Sequence, residues 1–324
     1  MNSSLAEEAL EVANVLRESI AAAGGVGLLR RAVADPDVRA EAEALVDAVG
    51  LWDIAPLGDP LELEVAAAAC QAAGFYALPY PVAERMARSA TADATALVSA
   101  TPIALVAHGD LPLRWTGVDL DGRMHRLDFP GHAALGTKLA PFAVEMATEP
   151  TGERALASAA LGMTLQSWWL LGLLEHAVGD TVKYTGEREQ FGRRLIALQG
   201  VGFQLADMAV AVEGLGELGK YTLWRLATAG ADALVDAVAL RAAAQSAAAT
   251  VLRGAHQLHG AMGFTDEVDV SWLSRSSQMV RRLPEGAHAT AGRLVRLIDS
   301  HGWSDFGHAE KTAVPRAAEG VRYA

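Results

Sequence analysis

Apolar residues recur at helical spacing over most of this chain. Leu5, Val12, Leu16 and Ile20 follow one another until Gly24-Gly25, and Ser4-Leu5-Ala6-Glu7 reads as a capping box at the start of that helix. Further helices are expected around residues 36–48, 61–73 and 80–90. Later, Leu198, Val201, Leu205, Met208, Val212 and Leu215 draw a single apolar stripe. An alanine-rich helix is expected from about 232 to 258. Between these blocks the period changes. "LRWTGVDLDGRMHRLDF" alternates on both sides of Asp121-Gly122, a dipeptide suited to a hairpin turn. With "PIALVA" upstream, it predicts three to five short strands.

Proline sharpens these divisions. Five prolines fall from Pro102 to Pro150, and none between Pro150 and Pro284, so the later region reads as consecutive helices. "TEPTGE", Thr148 to Glu153, reads as the loop leading into it, with Thr151 as helix cap. The expected organisation is therefore mainly α with a small β insert. An N-terminal helical domain covers 1–95, a reduced β-domain 96–151 and a C-terminal helix bundle 152–324.

Composition agrees with this pattern: 51% of residues are hydrophobic and only 6% aromatic, with alanine and leucine abundant. The 39 acidic against 27 basic residues give a net charge of −12, which argues against non-specific nucleic-acid binding. The single cysteine, Cys70, permits no intrachain disulfide and reads as a buried small hydrophobe. The early acidic residues do not resemble a signal peptide, and the apolar run "WWLLGLL" is short for a bilayer span. A cytoplasmic protein with no membrane or nucleic-acid partner is the expectation.

Three segments offer candidate chemistry. "YTGEREQFG" runs from Tyr184 through Arg188, Gln190 and Phe191 to Gly192. It reads as a helix ending near Gly192 before a new one, with Arg188 either a helix C-terminal cation or a donor to a phosphate. "HQLHGAMGFT" places Gly260 and Gly263 where a helix ends or where backbone approaches a ligand closely. His256 and His259 there have no third ligand at matching spacing, so no metal is expected. "RRLPEG" places Glu285 in a turn, as an ordinary loop carboxylate or as a base over a substrate.

Taken together, the first two of these segments, in this order and spacing, resemble the acyl-CoA dehydrogenase family. The matching residues are Tyr184, Arg188, Gln190, Phe191, Gly192, Gln199 and Leu205-Ala206-Asp207-Met208, then Gln257, Gly260, Gly263, Phe264 and Thr265. The resemblance covers 152–300 and, more loosely, the N-terminal helices. It implies FAD between subunits, with Arg188, Gln190 and Phe191 touching the FAD of a neighbouring subunit. Gln257, Gly260 and Gly263 would lie along the pyrophosphate and adenosine. It implies α,β-desaturation of an acyl-CoA thioester, in which a glutamate takes the α-proton and the flavin accepts the β-hydrogen. Electron-transfer flavoprotein is the usual acceptor.

Three departures narrow that picture. Glu285, in Pro284-Glu285-Gly286-Ala287, is the counterpart of one family base position, but its neighbours are not the usual ones. The other base position falls near Leu161-Gly162-Met163, which has no carboxylate. Ala261 replaces the second glycine of the family's Gly-Gly pair, and the middle domain is short. These features resemble the smaller members that form one subunit of heteromeric dehydrogenases acting on steroid side-chain CoA esters. The chain is thus expected in a homo- or hetero-oligomer with an acyl-CoA dehydrogenase-like chain. The alternatives are a non-catalytic partner that completes a homologous chain's FAD site and, further off, a helical scaffold without flavin.

Overall fold

A computed structural model of the chain describes residues 4–129, 131, 137, 139–190 and 192–301. The leading helical pattern forms α1 (Glu7–Ala22), whose Leu16 and Ile20 are fully buried and which packs on α4 (Pro60–Phe75). The expected capping box is not used. Ala6 is the cap residue, with no side-chain bond from Ser4, and its N–H donates instead to Glu64 Oε2 on α4 at 2.6 Å. Helices α2 (Val26–Ala34) and α3 (Arg39–Asp47) follow. Asp59 caps α4 by accepting from the N–H groups of Leu61 and Glu62, with Pro60 at the first helical position. Of the helix expected over 80–90, only α5 (Val82–Met86) forms, following Pro79 and Pro81. Cys70 is buried in α4, and burial pushes its thiol pKa well up.

The alternating region folds into one sheet of β1 (Ala94–Leu97), β2 (Ile103–Ala107), β3 (Trp115–Val118), β4 (Arg123–Asp128) and β5 (Ala143–Arg154), in the order β1-β3-β4-β5-β2. Only β1 and β3 run parallel; β3–β4, β4–β5 and β2–β5 are antiparallel. Gly122 makes the predicted β3–β4 turn at φ +77°. "TEPTGE" is not a loop: it is the end of β5, with Leu127 opposite Thr148 and Arg126 opposite Glu149. Pro150 is tolerated because it sits opposite His125, beside a shift in register, where a missing N–H interrupts the ladder least. The next helix therefore starts from Ala155 without a side-chain cap, and not from Thr151.

The C-terminal part is built on α6 (Leu156–Glu187), which packs against α4, α7 (Gln199–Ala229) and α8 (Leu234–His259). The predicted stripe on α7 holds in its central positions, with Leu205, Met208, Val212 and Leu215 buried. Although "WWLLGLL" is short, α6 as a whole is long and apolar enough to cross a membrane. Its most apolar window is 78% buried inside this fold, as in a core helix. Between α6 and α7 the chain makes a small hairpin, β6 (Glu189–Gln190) and β7 (Arg193–Arg194), in place of a direct helix-to-helix turn. After α8 come a 3-10 turn over Gly260–Phe264, then α9 (Asp269–Ser276), α10 (Gln278–Arg282) and α11 (Ala287–His301). Helices α6 and α8 run parallel, because Gln166–Arg241 and Tyr184–His259 touch at the same offset of 75 residues. The ends of the two helices therefore coincide.

Candidate functional site

That shared end brings two of the three candidate segments together. The Tyr184 ring stacks on His259 at 4.4 Å, with its hydroxyl 3.4 Å from the His259 carbonyl. His259 Nδ1 donates to the Ala255 carbonyl at 2.8 Å, and its Nε2 lies 3.6 Å from Asp180 Oδ2. Arg188 closes α6 through its N–H to the Tyr184 carbonyl, and its own carbonyl accepts from Leu195, which ties the hairpin back to the helix. Gly192 turns the hairpin at φ +72°. Arg188 and Gln190 are exposed, and Arg188 has no ion-pair partner among the described residues. Phe191 lies outside the described residues.

On α8, Gln257 is exposed, and Gly260 caps the helix at φ +58°. Gly263 is buried against its own helix end: a Cβ there would lie 3.1 Å from His259 Cβ and 3.2 Å from the His256 carbonyl. The helix end itself thus favours glycine at both positions, Gly260 for its positive φ and Gly263 for its close packing. His256 stacks on Phe264 at 4.9 Å while His259 faces Tyr184, so the two imidazoles serve different neighbours.

Glu285 belongs to the opposite end of the bundle. From Tyr184 back to Gln166 along α6 is roughly 27 Å at about 1.5 Å per residue. There a cavity of about 70 Å³ opens between the N-terminal helices, the sheet, α6 and the α9–α10 pair. That is room for several waters or a short acyl segment, since one water needs roughly 10–15 Å³ on this measure. Tyr80, Glu84, His108, Gln166, Trp169 and Met279 are among its walls, and Glu285 is not. The Glu285 carboxylate is held by Arg293, Oε1 by Nη2 at 2.6 Å and Oε2 by Nε at 3.2 Å. Arg293 also donates to Asp121 at the β3–β4 turn, and these bonds, Glu285 first, raise its pKa. In this structure Glu285, expected as a candidate base, takes part in an ion pair that fastens α11 to its preceding turn and to the sheet.

Sequence reasoning passed over the polar groups of the cavity. Gln166 Nε2 donates to Glu84 Oε1 at 3.0 Å, and Gln166 Oε1 accepts from Arg241 Nη1 at 3.4 Å. Arg241 is fully buried, and burial lowers its pKa to about 10. Its other amino group donates to the carbonyls of Val280, Leu283 and Glu285, so this one guanidinium supports both the Glu285 turn and Gln166. Desolvation raises the Glu84 pKa. His108, buried and stacked on Phe142 at 4.7 Å, is lowered by burial to about 3 and stays neutral. No local signal set them apart: Glu84 is followed by Arg85 in "PVAERM", and Gln166 lies between Thr164 and Ser167 in "GMTLQSWWL".

Comparison with known proteins now bears on this geometry. Residues 153–295 match the family model for the acyl-CoA dehydrogenase C-terminal domain. That segment of the chain belongs to the acyl-CoA dehydrogenase family. The short-chain-specific acyl-CoA dehydrogenase of Clostridium acetobutylicum is 33% identical over 130 residues, 40% of this chain and 33% of that one. A caffeyl-CoA reductase-Etf complex subunit of Acetobacterium woodii is 29% identical over 119 residues, 37% and 30% of the two chains. The aligned region thus spans about a third of these relatives. In structure, a chain of the ChsE4-ChsE5 complex from Mycobacterium tuberculosis superposes with a TM-score of 0.76 at 20% identity, covering 92% of this chain and 99% of that one. The fold is the acyl-CoA dehydrogenase fold with a reduced β-domain and a C-terminal helix bundle.

Proposed function

We propose that this chain is a subunit of an acyl-CoA dehydrogenase that desaturates an acyl-CoA thioester between its α and β carbons, with FAD held across a subunit interface. One observation carries the reading. The Tyr184–Gly192 and Gln257–Gly263 segments converge at one exposed end of the bundle, roughly 27 Å from the cavity. A group held by both segments is on the outside of this chain, at the reach of a neighbour. The donor set fits a diphosphate-bearing cofactor: an exposed guanidinium at Arg188, without an ion-pair partner among the described residues, together with the amides of Gln190 and Gln257. When bound, FAD supplies the hydride acceptor. The chain's own contribution is to orient a phosphate at Arg188 and to keep water from the acyl segment within the apolar cavity walls. Electron-transfer flavoprotein is the proposed acceptor, in keeping with the name of the Acetobacterium relative.

A second reading is supported by the engagement of Glu285 with Arg293. In it the chain is a non-catalytic partner that lends Arg188 to the FAD of a homologous chain, and the two-component complex among its structural relatives fits that arrangement. The visible spectrum of the purified chain separates the two. Flavin absorbance near one per chain, with turnover of an acyl-CoA, supports the self-sufficient enzyme. A colourless chain that turns yellow only with a co-encoded homologue supports the partner. A chain that never takes up flavin sinks both readings.

A further inference from the structure

Among the described residues, the two non-glycine positions that hold a positive φ are Ala77 at +49° and His108 at +60°, and both line the cavity. A side chain disfavours this left-handed backbone, which persists where the surrounding fold imposes it, often around a site that receives something. His108 is fixed twice over. Its N–H donates to the Phe142 carbonyl at 2.8 Å and its ring stacks on Phe142, yet Nδ1 has no hydrogen-bond partner among the described residues. The residue is only 8% exposed, so bulk water does not satisfy the ring. Glu84 is the other uncommitted group of the lining. Gln166 Nε2 donates to Oε1, Arg241 holds Gln166 in turn, and Oε2 takes no hydrogen bond from another described residue. Tyr80, by contrast, is engaged by Glu43 and Arg85, and the Ser276 hydroxyl donates to the Trp272 carbonyl.

Charge then selects the occupant. No lysine or arginine lines the cavity, but three guanidiniums stand behind its walls. Arg39 lies over the Phe142 ring at 5.5 Å, Arg85 over the Tyr80 ring at 5.8 Å, and Arg241 holds Gln166. Together they disfavour a further cation. Each is already engaged, by Asp110, Glu43 and backbone carbonyls respectively, so a buried anion would find no partner. Burial keeps His108 neutral and favours the protonated acid of Glu84. A neutral imidazole and a carboxylic acid each offer a donor and an acceptor, and a hydroxyl is an uncharged group that answers either. We propose that this cavity is a binding site for an uncharged hydroxyl borne on a small apolar body, with Glu84 and His108 as the groups that recognise it. Its volume of about 70 Å³ equals that of roughly five to seven waters, hence a molecule or chain end of about six non-hydrogen atoms. Leu29, Ala83, Phe142, Trp169 and Met279 enclose the apolar part. A free alcohol and the far end of a hydroxylated acyl chain present the same chemistry here. The site stands apart from flavin, whose proposed contacts lie at the other end of the bundle.

The full chain is titrated under NMR with two hydroxyl probes and their hydroxyl-free counterparts: cyclopentanol against methylcyclopentane, and 6-hydroxyhexanoyl-CoA against hexanoyl-CoA. Saturable binding of cyclopentanol assigns the site to a free alcohol. Saturation by the hydroxyacyl thioester alone, about tenfold tighter than by hexanoyl-CoA, assigns it to an acyl-borne hydroxyl. For whichever hydroxyl compound binds, Glu84→Leu is expected to weaken it about tenfold relative to its counterpart, and Glu84→Gln, which keeps an uncharged hydrogen-bonding group, to hold the ratio within about threefold of wild type. Cyclopentylammonium is expected to bind wild type at least about tenfold more weakly than cyclopentanol. If a variant does not fold, the His108 ring nitrogens of the wild type give the answer: their 15N resonances shift with the hydroxyl compound and stay in place with its counterpart. The proposal is overturned if neither hydroxyl compound saturates the chain. It is overturned equally if the ratio is unchanged in Glu84→Leu and the His108 nitrogens do not move, or if the ammonium binds more tightly and loses that affinity in Glu84→Gln. None of these readouts involves flavin, so their failure leaves the desaturase reading to its own test.

Discussion

His108 shows how one buried ring sets a pH dependence. Its backbone lies at φ +60°, its ring stacks on Phe142, and Nδ1 has no hydrogen-bond partner among the described residues. Burial holds its pKa near 3, while in the unfolded chain an imidazole titrates near its ordinary value of about 6.5. Above about pH 6.5 the ring is neutral in both states and contributes no slope. As pH falls from there toward 3, only the unfolded chain takes up the proton, so the folded state loses stability. The full effect is on the order of a few kcal/mol. We predict that urea unfolding of the wild type weakens over that window relative to His108→Asn, with parallel curves at neutral pH. Asparagine is the replacement of choice because it tolerates a positive φ. Parallel curves down to pH 4 would show that the folded ring accepts a proton after all. Glu84 and Glu285 make a related contrast at this scale. The turn that carries Glu285 was legible as a candidate from its local residues. Glu84 was not, because Gln166, the partner that orients it, lies 82 residues away and only folding brings the pair into one cavity.

At the scale of elements, the contact between α4 and α6 is set by two glycines. A Cβ on Gly74 would lie 1.8 Å from the Trp169 carbonyl oxygen, and one on Gly172 would lie 1.9 Å from that of Gln71. Each helix thus presses backbone to backbone, and neither neighbour can yield without moving its helix. Gly179, on the same α6, is exposed and has nothing within 4 Å of its virtual Cβ. We expect Gly172→Ala to destabilise the chain by about 3 kcal/mol or more and Gly179→Ala to stabilise it by roughly 0.5–1 kcal/mol, both read by thermal or chemical unfolding. A small effect at Gly172 would mean that the two helices are not in contact there. The same elements mark the limit of sequence reading. The α7 stripe and the Asp121-Gly122 turn follow local periodicity and turn chemistry, and both form. The hairpin at Glu189–Arg194 breaks a segment that reads as helix, since the Leu195 to Arg188 backbone bond that closes it has no hydrophobic signature. The end of β5 reads as a loop because its polar residues are selected by pairing with β4, a long-range condition.

At the scale of the whole molecule, an acidic chain presents a small basic prominence. Arg188, Arg193 and Arg194 are exposed together on the hairpin while the net charge is −12. Like charges at this spacing repel, and no carboxylate among the described residues forms an ion pair with them. Such a cluster contributes little to this chain's own stability, but it suits a doubly charged phosphate group brought by another chain. We therefore predict that Arg188→Ala leaves the melting temperature of the flavin-free protein within about a degree of wild type, because it breaks no ion pair. In the assembled protein the same change is expected to weaken flavin binding by about 10- to 100-fold, the usual weight of a hydrogen bond to a charged group. The difference from wild type is expected to shrink as salt rises, because salt screens the contact that only the wild type makes. The location of the contact is tested by dilution. If Arg188 reaches the flavin of a neighbour, wild-type flavin release, followed by the rise in flavin fluorescence, tracks dissociation of the assembly and depends on protein concentration. Arg188→Ala then releases flavin before the assembly comes apart. Release at a single free-flavin concentration regardless of protein concentration would place the whole cofactor on one chain, and the separation between the hairpin and the cavity would then need a conformation other than this one.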